Sequence, residues 1–414
     1  MKILDDFINS KKQEGKNHSR LRVLFVSHAY VVGVNQGKLQ AIAEIEGIDV
    51  GLLAPTNWRA LEWNRRLQLE RPYSKIQIYG APVLFAGRGG AYFYTPWRVW
   101  QVLNDFQPDI VQVEAEVFSL CALELAIWAR LTGKKLIIFG WENMDRHLPK
   151  LRRWVRQFVM NTASAIIAGN HEGANLLHQW GYNGAIAIMP QMGVDTQLFA
   201  PQPTERNNRT NQEFQIGFLG RLVAGKGIDI LFAAVRQLRQ RGFNCRLILC
   251  GSGSSEADLR QEAEKQQIAD FVTWRGAVRH EAAPMAIAQF DVLVLPSRTT
   301  PTWKEQFGHV LIEAMAMGVP VIGSTSGEIP HAIGRSDLVF PEEDAHGLAA
   351  ILERLICEPS WRQEVESYCL NRVQQHYSHE QIARRSFQLW QTILKQQVES
   401  GENSICKSQV ASRN

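Results

Sequence analysis

Short apolar segments alternate with helical patterns along most of the 414-residue chain, and this alternation restricts the fold more than any other feature. In the first half, segments that are apolar on both faces predict buried strands at 21–27, 49–55, 109–115, 134–141, 165–169 and 185–190. Comparable segments of the second half lie at 214–220, 245–251, 291–296, 319–324 and 337–340, with a short strand near 272. Strands that alternate with helices indicate parallel sheets covered by helices on both faces. We therefore predict an α/β protein with two doubly wound, Rossmann-like domains.

A polar, proline-containing stretch, APQPTERNNRTNQE, separates the two arrays of strands. It lacks aliphatic periodicity, which is typical of a linker. The predicted organisation is a disordered leader at 1–20, a first domain at 21–200, a linker at 201–213, a second domain at 214–378, an amphipathic helix at 379–396 and a disordered tail at 397–414.

The bulk composition is that of a globular protein and excludes several classes. Hydrophobic residues make up 45% and charged residues 21% of the chain, and the net charge of +4 does not call for a nucleic-acid partner. No apolar run approaches the roughly 18 residues of a membrane-spanning helix. Six cysteines without a CxxC pair are typical of a reducing compartment. Because the first twenty residues are polar, we expect no signal peptide and a cytoplasmic location.

The stretch EQFGHVLIEAMAMGVP, at 305–320, carries two carboxylates eight residues apart, Glu305 and Glu313. It follows the strand at 291–296 and a polar loop, and ligands of open parallel sheets bind beyond the carboxyl ends of strands. Eight helical residues span about 12 Å, so the two carboxylates would hold the two ends of an extended ligand. A surface glutamate before a helix and a solvated glutamate within it are the alternative.

A phenylalanine–glycine pair precedes the helix that carries the second carboxylate. The turn at Gly308 leaves the amides of Gly308, His309 and Val310 at a helix N-terminus, which is an anion or hydroxyl site. A routine packing turn is the alternative interpretation.

The first turn of the second half, GRLVAGKG at 220–227, offers two cations. Arg221 and Lys226 follow a strand and precede a helix, so both would reach a diphosphate, one as a planar fork and one as a point charge. A solvated loop with two ordinary basic residues is the alternative.

Other known sequence motifs are incomplete in this chain, because a residue that each of them requires is missing. Gly251 begins a GxG after a strand, but position 256 is Glu256, so we do not assign a dinucleotide fingerprint. The glycine loop from Gly33 to Lys38 is one residue short of a P-loop, and Leu39 stands where Ser or Thr is required. The chain has no Asp-x-Asp pair, no zinc-spaced His or Cys cluster and no GxSxG.

Five segments of the second half, in this order and spacing, resemble the family 4 glycosyltransferases, a retaining group with the GT-B fold. The matching segments are MGVDTQLFAP (192–201), GRLVAGKGID (220–229), GSGSSEADLR (251–260), VRHEAAPMAIAQFDVLVLPS (278–297) and EQFGHVLIEAMAMGVPVIGS (305–324). The first half matches more loosely, through strand 21–27, its glycine loop and AIIAGNHEGANLL (165–177). The resemblance covers residues 21–396. It implies two domains facing across a cleft, with the last helix crossing back to the first domain.

The resemblance also implies roles for single residues. The second half would bind a nucleotide-sugar donor and the first half an acceptor. Arg221 and Lys226 correspond to the family's diphosphate pair. Glu305 corresponds to the first Glu of the E-x7-E motif, facing the donor sugar, and Glu313 to the second, on the nucleotide ribose. Further donor contacts are implied at turns and loops, namely Gly33, Gly37, Gly251, Val278, Phe307, Gly308, His309 and Val310.

Two departures from the family pattern leave questions open. The family often has a histidine just after the strand at 134–141, where this chain has Trp141-Glu142-Asn143 and, later, His147. Glu142 and His147 are therefore both candidates for the group that supports the reacting acceptor. The loop before Glu305 carries TTPTWK, which resembles an insertion, so the resemblance does not imply which sugar is transferred.

These residues predict a retaining glycosyltransferase that moves a sugar from a nucleoside diphosphate sugar to a hydroxyl of a glycan or lipid-linked acceptor. The predicted catalytic groups are Glu305, Arg221, Lys226 and either Glu142 or His147. No cofactor besides the donor and no metal are expected, because cations and helix amides would neutralise the diphosphate. The alternatives are another GT-B enzyme, such as a nucleotide-sugar epimerase, and a non-catalytic sugar-nucleotide binder.

The segment 146–163 combines basic and apolar residues in a helical pattern. Its basic residues are Arg146, Lys150, Arg152, Arg153 and Arg156. Such a helix would lie on an anionic membrane surface, at the inner face, and bring the enzyme to a lipid-linked acceptor. A solvated outer face on a core helix is the alternative.

Overall fold

The computed structural model of the chain describes residues 20–60, 65–201 and 213–411, which form two compact units. Unit 1 comprises the described residues up to Gly193 and those from His379 onward, and unit 2 comprises Val194–Ser378. Unit 2 thus begins before the predicted boundary at residue 200, because the amide of Val194 donates to the carbonyl of Tyr377 at 2.8 Å and joins the two ends of that unit. Residues 1–19 of the predicted leader and 202–212 of the predicted linker lie outside the described residues.

Unit 1 is built on a parallel sheet of seven strands in the order β11-β10-β9-β8-β1-β2-β5. The strands are β1 (Leu21–Val26), β2 (Ile48–Pro55), β3 (Asn57–Ala60), β4 (Arg65–Gln68), β5 (Ile76–Ala81), β6 (Val83–Leu84), β7 (Phe93–Tyr94), β8 (Ile110–Glu114), β9 (Lys135–Gly140), β10 (Ala165–Ala168) and β11 (Ala185–Ile188). The helices are α1 (Gly37–Ala43), α2 (Pro96–Phe106), α3 (Leu120–Thr132), α4 (Lys150–Thr162) and α5 (His171–Gln179), with 3-10 turns at Ala29–Val31 and Gly33–Gln36. Strands β3 and β4 form one antiparallel hairpin, and β6 and β7 form another.

Unit 2 has a parallel sheet of six strands in the order β14-β13-β12-β15-β16-β17. The strands are β12 (Phe214–Leu219), β13 (Cys245–Cys250), β14 (Val272–Gly276), β15 (Val292–Leu295), β16 (Val321–Ser324) and β17 (Val339–Phe340). The helices are α6 (Ile228–Gln240), α7 (Glu256–Lys265), α8 (Ala283–Ile287), α9 (His309–Ala316), α10 (Ile329–Ile333), α11 (Ala345–Cys357) and α12 (Pro359–His376), with 3-10 turns at Ala224–Lys226, Ala269–Phe271, His280–Ala282 and Ser336–Leu338.

Each sheet reverses its strand order once. In unit 1 the chain runs from β1 outward to β2 and β5, returns to β8 on the other side of β1 and continues to β11. In unit 2 it runs from β12 outward to β14 and returns to β15 on the other side of β12. Ligands of open α/β sheets bind in the crevice beyond the carboxyl ends of the strands at such a switch point. The loops after β1 and β8, and those after β12 and β15, are therefore where functional side chains are expected.

The last helix, α13 (His379–Ala411), belongs to unit 1 although it follows unit 2 in the sequence. Its Trp390 is fully buried in the core of unit 1, 6.1 Å from the Phe25 ring, and its indole N–H donates to Gln112 at 3.2 Å. The prediction of two doubly wound domains with a terminal helix returning to the first domain is confirmed.

Several elements differ from the sequence prediction, including the two antiparallel hairpins, helix α10 and the elements described next. Strand β5 and helix α2 were not predicted, because the segment around them is rich in polar and aromatic residues and shows no long apolar run. Helix α13 continues to Ala411, where a disordered tail from 397 was predicted. Polar residues such as Gln, Glu and Lys do not oppose helix formation, so a polar composition alone did not justify the prediction of disorder.

Candidate active site

The switch point of unit 2 brings together a lysine, a glutamate and a serine from the loops after β12 and β15. The ammonium nitrogen of Lys226 lies 2.5 Å from Oε2 of Glu305, and the Ser297 hydroxyl donates to the same oxygen at 2.8 Å. Glu305 is 7% exposed. Two residues that the sequence assigned to different loops, Lys226 and Glu305, thus form one ion pair. Ser297 was not predicted as a site residue, although it directly follows the strand segment DVLVLP.

The loop that resembles an insertion covers this ion pair. The Lys226 ammonium lies 5.1 Å from the ring centroid of Trp303, a cation–π distance. A turn in which Thr300 and Trp303 exchange hydrogen bonds holds the tryptophan, and the ring packs on Gly225, where an added Cβ would come within 2.7 Å of it. Trp303 therefore shields the Lys226–Glu305 pair, a role that spacing in the sequence did not indicate.

Two glycines are required where backbones approach next to Glu305. A Cβ at Gly327 would lie 1.9 Å from the carbonyl oxygen of Glu305, and one at Gly227 would lie 2.0 Å from the carbonyl oxygen of Pro296. Both glycines also have positive φ, of +55° and +64°, which favours glycine for a second reason. These contacts fix the backbone from which Lys226 and Glu305 project.

The turn before α9 has the geometry that the sequence predicted. Gly308, with φ +81°, is the N-terminal cap of α9, and no side chain caps the helix. Phe307 is buried, and its ring lies 5.0 Å from that of His309 and 5.6 Å from that of Tyr377. Val310, in the first turn of α9, is half-buried. The amides of the first turn of α9 therefore lie at a helix N-terminus without a side-chain cap, and this helix follows Glu305 closely in the sequence.

Glu313 lies in the middle of α9 and is mostly withdrawn from water. Burial raises the pKa of its carboxyl to about 7. The ionisable partner given by the structure is His280, whose Nδ1 lies 3.9 Å from Oε1, and burial lowers the pKa of this histidine. His280 also packs edge-to-face on Phe199 at 5.3 Å. Near neutral pH, Glu313 therefore exchanges between a form that accepts hydrogen bonds only and one that can also donate.

Other residues predicted for donor binding have structural roles in unit 2. A Cβ at Gly251 would lie 1.8 Å from the carbonyl oxygen of Gly220, so the GxG turn allows two loops to pack backbone against backbone. Arg221 is exposed in the loop that follows Gly220. Val278 is half-buried and packs against the core of unit 2. The donor contacts assigned to these residues stay predictions.

Gly33 and Gly37 are packed within unit 1. The amide of Gly33 donates to Glu70 at 2.6 Å, and a Cβ at Gly37 would lie 2.4 Å from Nε2 of His379 at the start of α13. The described contacts of both glycines are with other residues of unit 1. Donor binding by Gly33 and Gly37 therefore stays a prediction.

Of the two acceptor-side candidates, Glu142 is the second residue after the carboxyl end of β9, whereas His147 is exposed further along the same loop. A carboxylate oxygen of Glu142 accepts from Arg146 Nε and the Met144 amide, each at 3.3 Å. Its backbone amide donates at 3.0 Å to Glu116, a carboxylate that sequence reasoning missed. Loss of hydration raises the pKa of Glu116 to about 7.

Within the described part of the chain, we find no helix with the length and apolar character that a bilayer span requires.

Two family models and several relatives match this chain. A family model described as "Glycosyltransferase Family 4" matches residues 39–198, and one described as "Glycosyl transferases group 1" matches residues 213–358. A Salmonella typhimurium protein named as a glycosyltransferase of colanic acid biosynthesis is 30% identical over 304 residues, which cover 71% of this chain and 73% of the relative. A GDP-mannose-dependent alpha-(1-6)-phosphatidylinositol monomannoside mannosyltransferase of Mycobacterium tuberculosis is 31% identical over 245 residues, 56% of this chain.

The chain spans 63% of the length of that mycobacterial relative. Among solved structures, the Anabaena protein HepE in complex with UDP superposes with a TM-score of 0.66 at 17% identity, covering 90% of this chain and 100% of HepE. At that identity the likeness concerns the fold, which is the GT-B arrangement of two Rossmann-like domains.

Proposed function

Because the chain belongs to family 4 of the glycosyltransferases, group 1 type, we propose that it transfers a sugar from a nucleoside diphosphate sugar to a hydroxyl group, with retention of the anomeric configuration. The acceptor in this proposal is a glycan or a lipid-linked molecule of polysaccharide or glycolipid synthesis. The relatives named for mannosyl transfer and for colanic acid synthesis support this class of reaction. The observation that carries the proposal is the shielded Lys226–Glu305 pair at the switch point of unit 2.

In the proposed reaction, Lys226 neutralises the leaving diphosphate. Negative charge grows on the β-phosphate as the bond to the anomeric carbon breaks. An ammonium group has three N–H donors, so Lys226 can keep its bond to Glu305 and still donate to a phosphate oxygen. Burial next to Trp303 strengthens this interaction because less water screens it. A cation that is already held in place costs no reorganisation during the reaction.

The uncapped start of α9 would assist Lys226. Backbone N–H groups and the helix dipole at a helix N-terminus favour anions, and Gly308 leaves this end without a side-chain cap. Arg221 adds an exposed guanidinium after β12. With these groups the proposal needs no resident metal, and the absence of an Asp-x-Asp pair from the sequence supports this.

The carboxylates would orient the donor. Glu305 accepts hydrogen bonds from hydroxyls of the transferred sugar, and Glu313 binds the ribose of the nucleotide. Retention follows when the acceptor hydroxyl enters on the face of the leaving group, where the departing phosphate takes its proton. Glu305 is held by Lys226 and Ser297, so it positions the sugar rather than attacking it.

The function is tested by a panel of nucleotide sugars, followed first by thermal shift and then by product analysis with and without acceptors. A true donor raises the melting temperature because it binds only the folded state. Lys226→Met should lower the transfer rate about 100- to 1000-fold, the cost of one lost charge-stabilising donor. Lys265→Met is the matched control, since Lys265 is an exposed lysine of unit 2 with a side chain that is 72% exposed.

Three outcomes would contradict the proposed function. Turnover of the donor without an acceptor into an isomerised nucleotide sugar would indicate an epimerase. Binding without any turnover would indicate a sugar-nucleotide binder. Equal transfer rates for Lys226→Met and Lys265→Met would show that Lys226 does not contribute to the reaction.

We also propose that the outer face of α4 binds an anionic membrane. Leu151 is 70% exposed and Trp154 is 55% exposed, and the exposed Lys150 and Arg153 lie beside them in the sequence. Apolar side chains flanked by cations are typical of helices that lie in the interface of a bilayer. Arg152 contributes less, because its guanidinium donates to backbone carbonyls within unit 1.

Flotation with vesicles of phosphatidylglycerol and phosphatidylcholine tests the membrane proposal. The wild type should float with the anionic vesicles at moderate salt, and the double variant Leu151→Ser/Trp154→Ser should not. Met285→Ser is the control, because Met285 is an exposed apolar residue of unit 2. A wild type that stays at the bottom of the gradient would reject membrane binding through α4.

A further inference from the structure

A second cluster lies at the switch point of unit 1, where the proposed chemistry has assigned no ligand. His28 follows β1, Glu116 follows β8 and Trp141 follows β9, while Trp58 lies in β3 just after β2. Strands β1, β8 and β9 are neighbours in the sheet. The cluster therefore occupies the carboxyl edge of the sheet, the position at which open parallel sheets bind ligands.

Three aromatic side chains surround the imidazole of His28. Its ring centroid lies 4.5 Å from that of Trp58, 5.3 Å from that of Tyr92 and 6.3 Å from that of Trp141. Trp58 and Tyr92 are buried, whereas His28 and Trp141 are half-buried. Water therefore reaches His28 and Trp141 more than it reaches Trp58 and Tyr92, and we name these four residues the His28 pocket.

A chain of hydrogen bonds fixes Trp141. Its indole N–H donates to Gln191 at 3.2 Å, and the Gln191 amide donates to Glu114 at 2.8 Å. Glu114 is fully buried and forms an ion pair with Lys38 at 2.6 Å. The backbone amide of Trp141 donates to Glu116 at 2.7 Å. The ring is therefore held in one orientation, which lowers the entropy cost of binding a ligand against it.

The polar groups of the pocket favour an uncharged ligand. Burial lowers the pKa of His28 to about 4, so the imidazole is neutral near pH 7 and carries one donor and one acceptor. Its Nδ1 has no hydrogen-bond partner among the described residues. The carboxyl groups of Glu116 and Glu142 follow β8 and β9, and carboxyl oxygens accept hydrogen bonds from hydroxyl groups, which a fully ionised phosphate cannot donate.

We propose that the His28 pocket binds a neutral pyranose ring of the acceptor, which stacks on the aromatic side chains and exchanges a hydroxyl hydrogen bond with His28. A polyol ring has an apolar C–H face for Trp141 and hydroxyl groups that both donate and accept. The inference rests on the proposed transferase function and makes it more specific. The group next to the reacting hydroxyl is a saccharide rather than a phosphorylated headgroup.

Saturation-transfer NMR on the full chain tests the proposal with methyl α-D-mannopyranoside, methyl β-D-glucopyranoside and methyl β-D-galactopyranoside as neutral probes and glycerol 3-phosphate as the anionic probe. At least one glycoside should bind. His28→Phe keeps an aromatic ring and removes both nitrogens. It should lower the affinity for that glycoside about tenfold, as expected for one lost hydrogen bond. Trp141→Leu should weaken it by a similar factor through lost stacking.

Matched controls come from the same unit. His178→Phe replaces an exposed histidine of α5, and Trp97→Leu replaces a tryptophan of α2 that is 64% exposed. Both should bind the glycoside as the wild type does. Thermal unfolding of each variant shows whether it is folded. If His28→Phe is not folded, the comparison of glycoside binding by Trp141→Leu and by Trp97→Leu decides whether the His28 pocket binds the sugar.

The proposal is overturned if no glycoside binds, if only glycerol 3-phosphate binds, or if His28→Phe and Trp141→Leu bind the glycoside as the controls do. The thermal shift produced by UDP or GDP is measured on the same samples. A nucleotide response without glycoside binding would reject the His28 pocket and leave the transferase proposal standing. Glycoside binding without any nucleotide response would support the His28 pocket and reject the transferase proposal.

Discussion

Ionisation of the buried Glu313 carboxyl destabilises the folded chain. Its carboxyl has a pKa of about 7 because it is buried in α9, against about 4.5 in the unfolded chain. Between these pH values the unfolded state releases the proton first, so the free energy of unfolding falls as the pH rises. A shift of this size corresponds to about 3 kcal/mol above pH 7. Glu313→Gln should therefore be more stable than the wild type by up to about that amount at pH 8 and by nearly nothing at pH 4.5.

Urea denaturation at the two pH values, followed by circular dichroism, measures this difference. Glu264→Gln, at an exposed position of α7, is the control and should show no comparable pH dependence. An offset between Glu313→Gln and the wild type that is the same at both pH values would show that folding does not raise the pKa of Glu313. If Glu313 binds the ribose as proposed, Glu313→Gln should also weaken binding of the donor, because the amide has one accepting oxygen where the carboxylate has two.

Single residues were predictable from the sequence where a motif fixed their place. Glu305 and Lys226 were assigned to the site from spacing and resemblance, and the structure joins them in one ion pair. Ser297 and His280 were missed because a serine or a histidine has no pattern of its own in one sequence. Their roles follow only from which loops the sheet order places side by side.

At the scale of elements, the loop between β15 and α9 decides how well the Lys226–Glu305 pair is shielded. Trp303→Ala removes the ring over the ammonium, and Gly225→Ala displaces it, since the new Cβ would come within 2.7 Å of the ring. Both variants should weaken the binding of the donor nucleotide about tenfold, and the loss should grow with salt as screening increases.

Isothermal titration with the donor nucleotide at low and high salt measures this effect. Trp97→Ala, which removes an exposed tryptophan of unit 1, is the control. If Trp303→Ala and Gly225→Ala bind the nucleotide with wild-type affinity at both salt concentrations, the loop does not shield the ion pair.

Elements with long apolar runs could be predicted from the sequence, and those without could not. Strands β1, β8, β12 and β15 are buried on both faces, so their composition alone identified them. Strand β5 lies at the edge of its sheet and mixes buried and exposed residues, which weakens the pattern. The loop with Trp303 shows no periodicity at all, and its position depends on contacts with Gly225 that only the fold creates.

At the scale of the whole molecule, the two units follow one plan. Each has a parallel sheet with a single reversal of strand order, and each carries a cluster of polar and aromatic side chains in the loops at that reversal. The alternation of strands and helices predicted this architecture. It did not predict which side chains meet, because strand order is set by packing between segments that are distant in the sequence.

The order of the chain makes unit 1 dependent on its last helix. Unit 2 lies between the two parts of unit 1, so the core of unit 1 is completed only by residues after His379. Trp390 fills that core against Phe25 and is fully buried. Trp390→Ala should therefore destabilise unit 1 by about 3–5 kcal/mol, the usual cost of removing a buried large aromatic side chain. Unit 2 should keep its stability and its nucleotide response, since it has a core of its own.

Hydrogen exchange separates the two effects, because amides of β1 and β8 report on unit 1 and those of β12 and β15 on unit 2. In Trp390→Ala, exchange should accelerate in β1 and β8 and stay unchanged in β12 and β15, with or without the donor nucleotide. The control, Trp97→Ala, should change neither set, because Trp97 is 64% exposed. Equal acceleration in both sets would mean that the units unfold as one cooperative body, and the stability of the donor site would then depend on Trp390 as well.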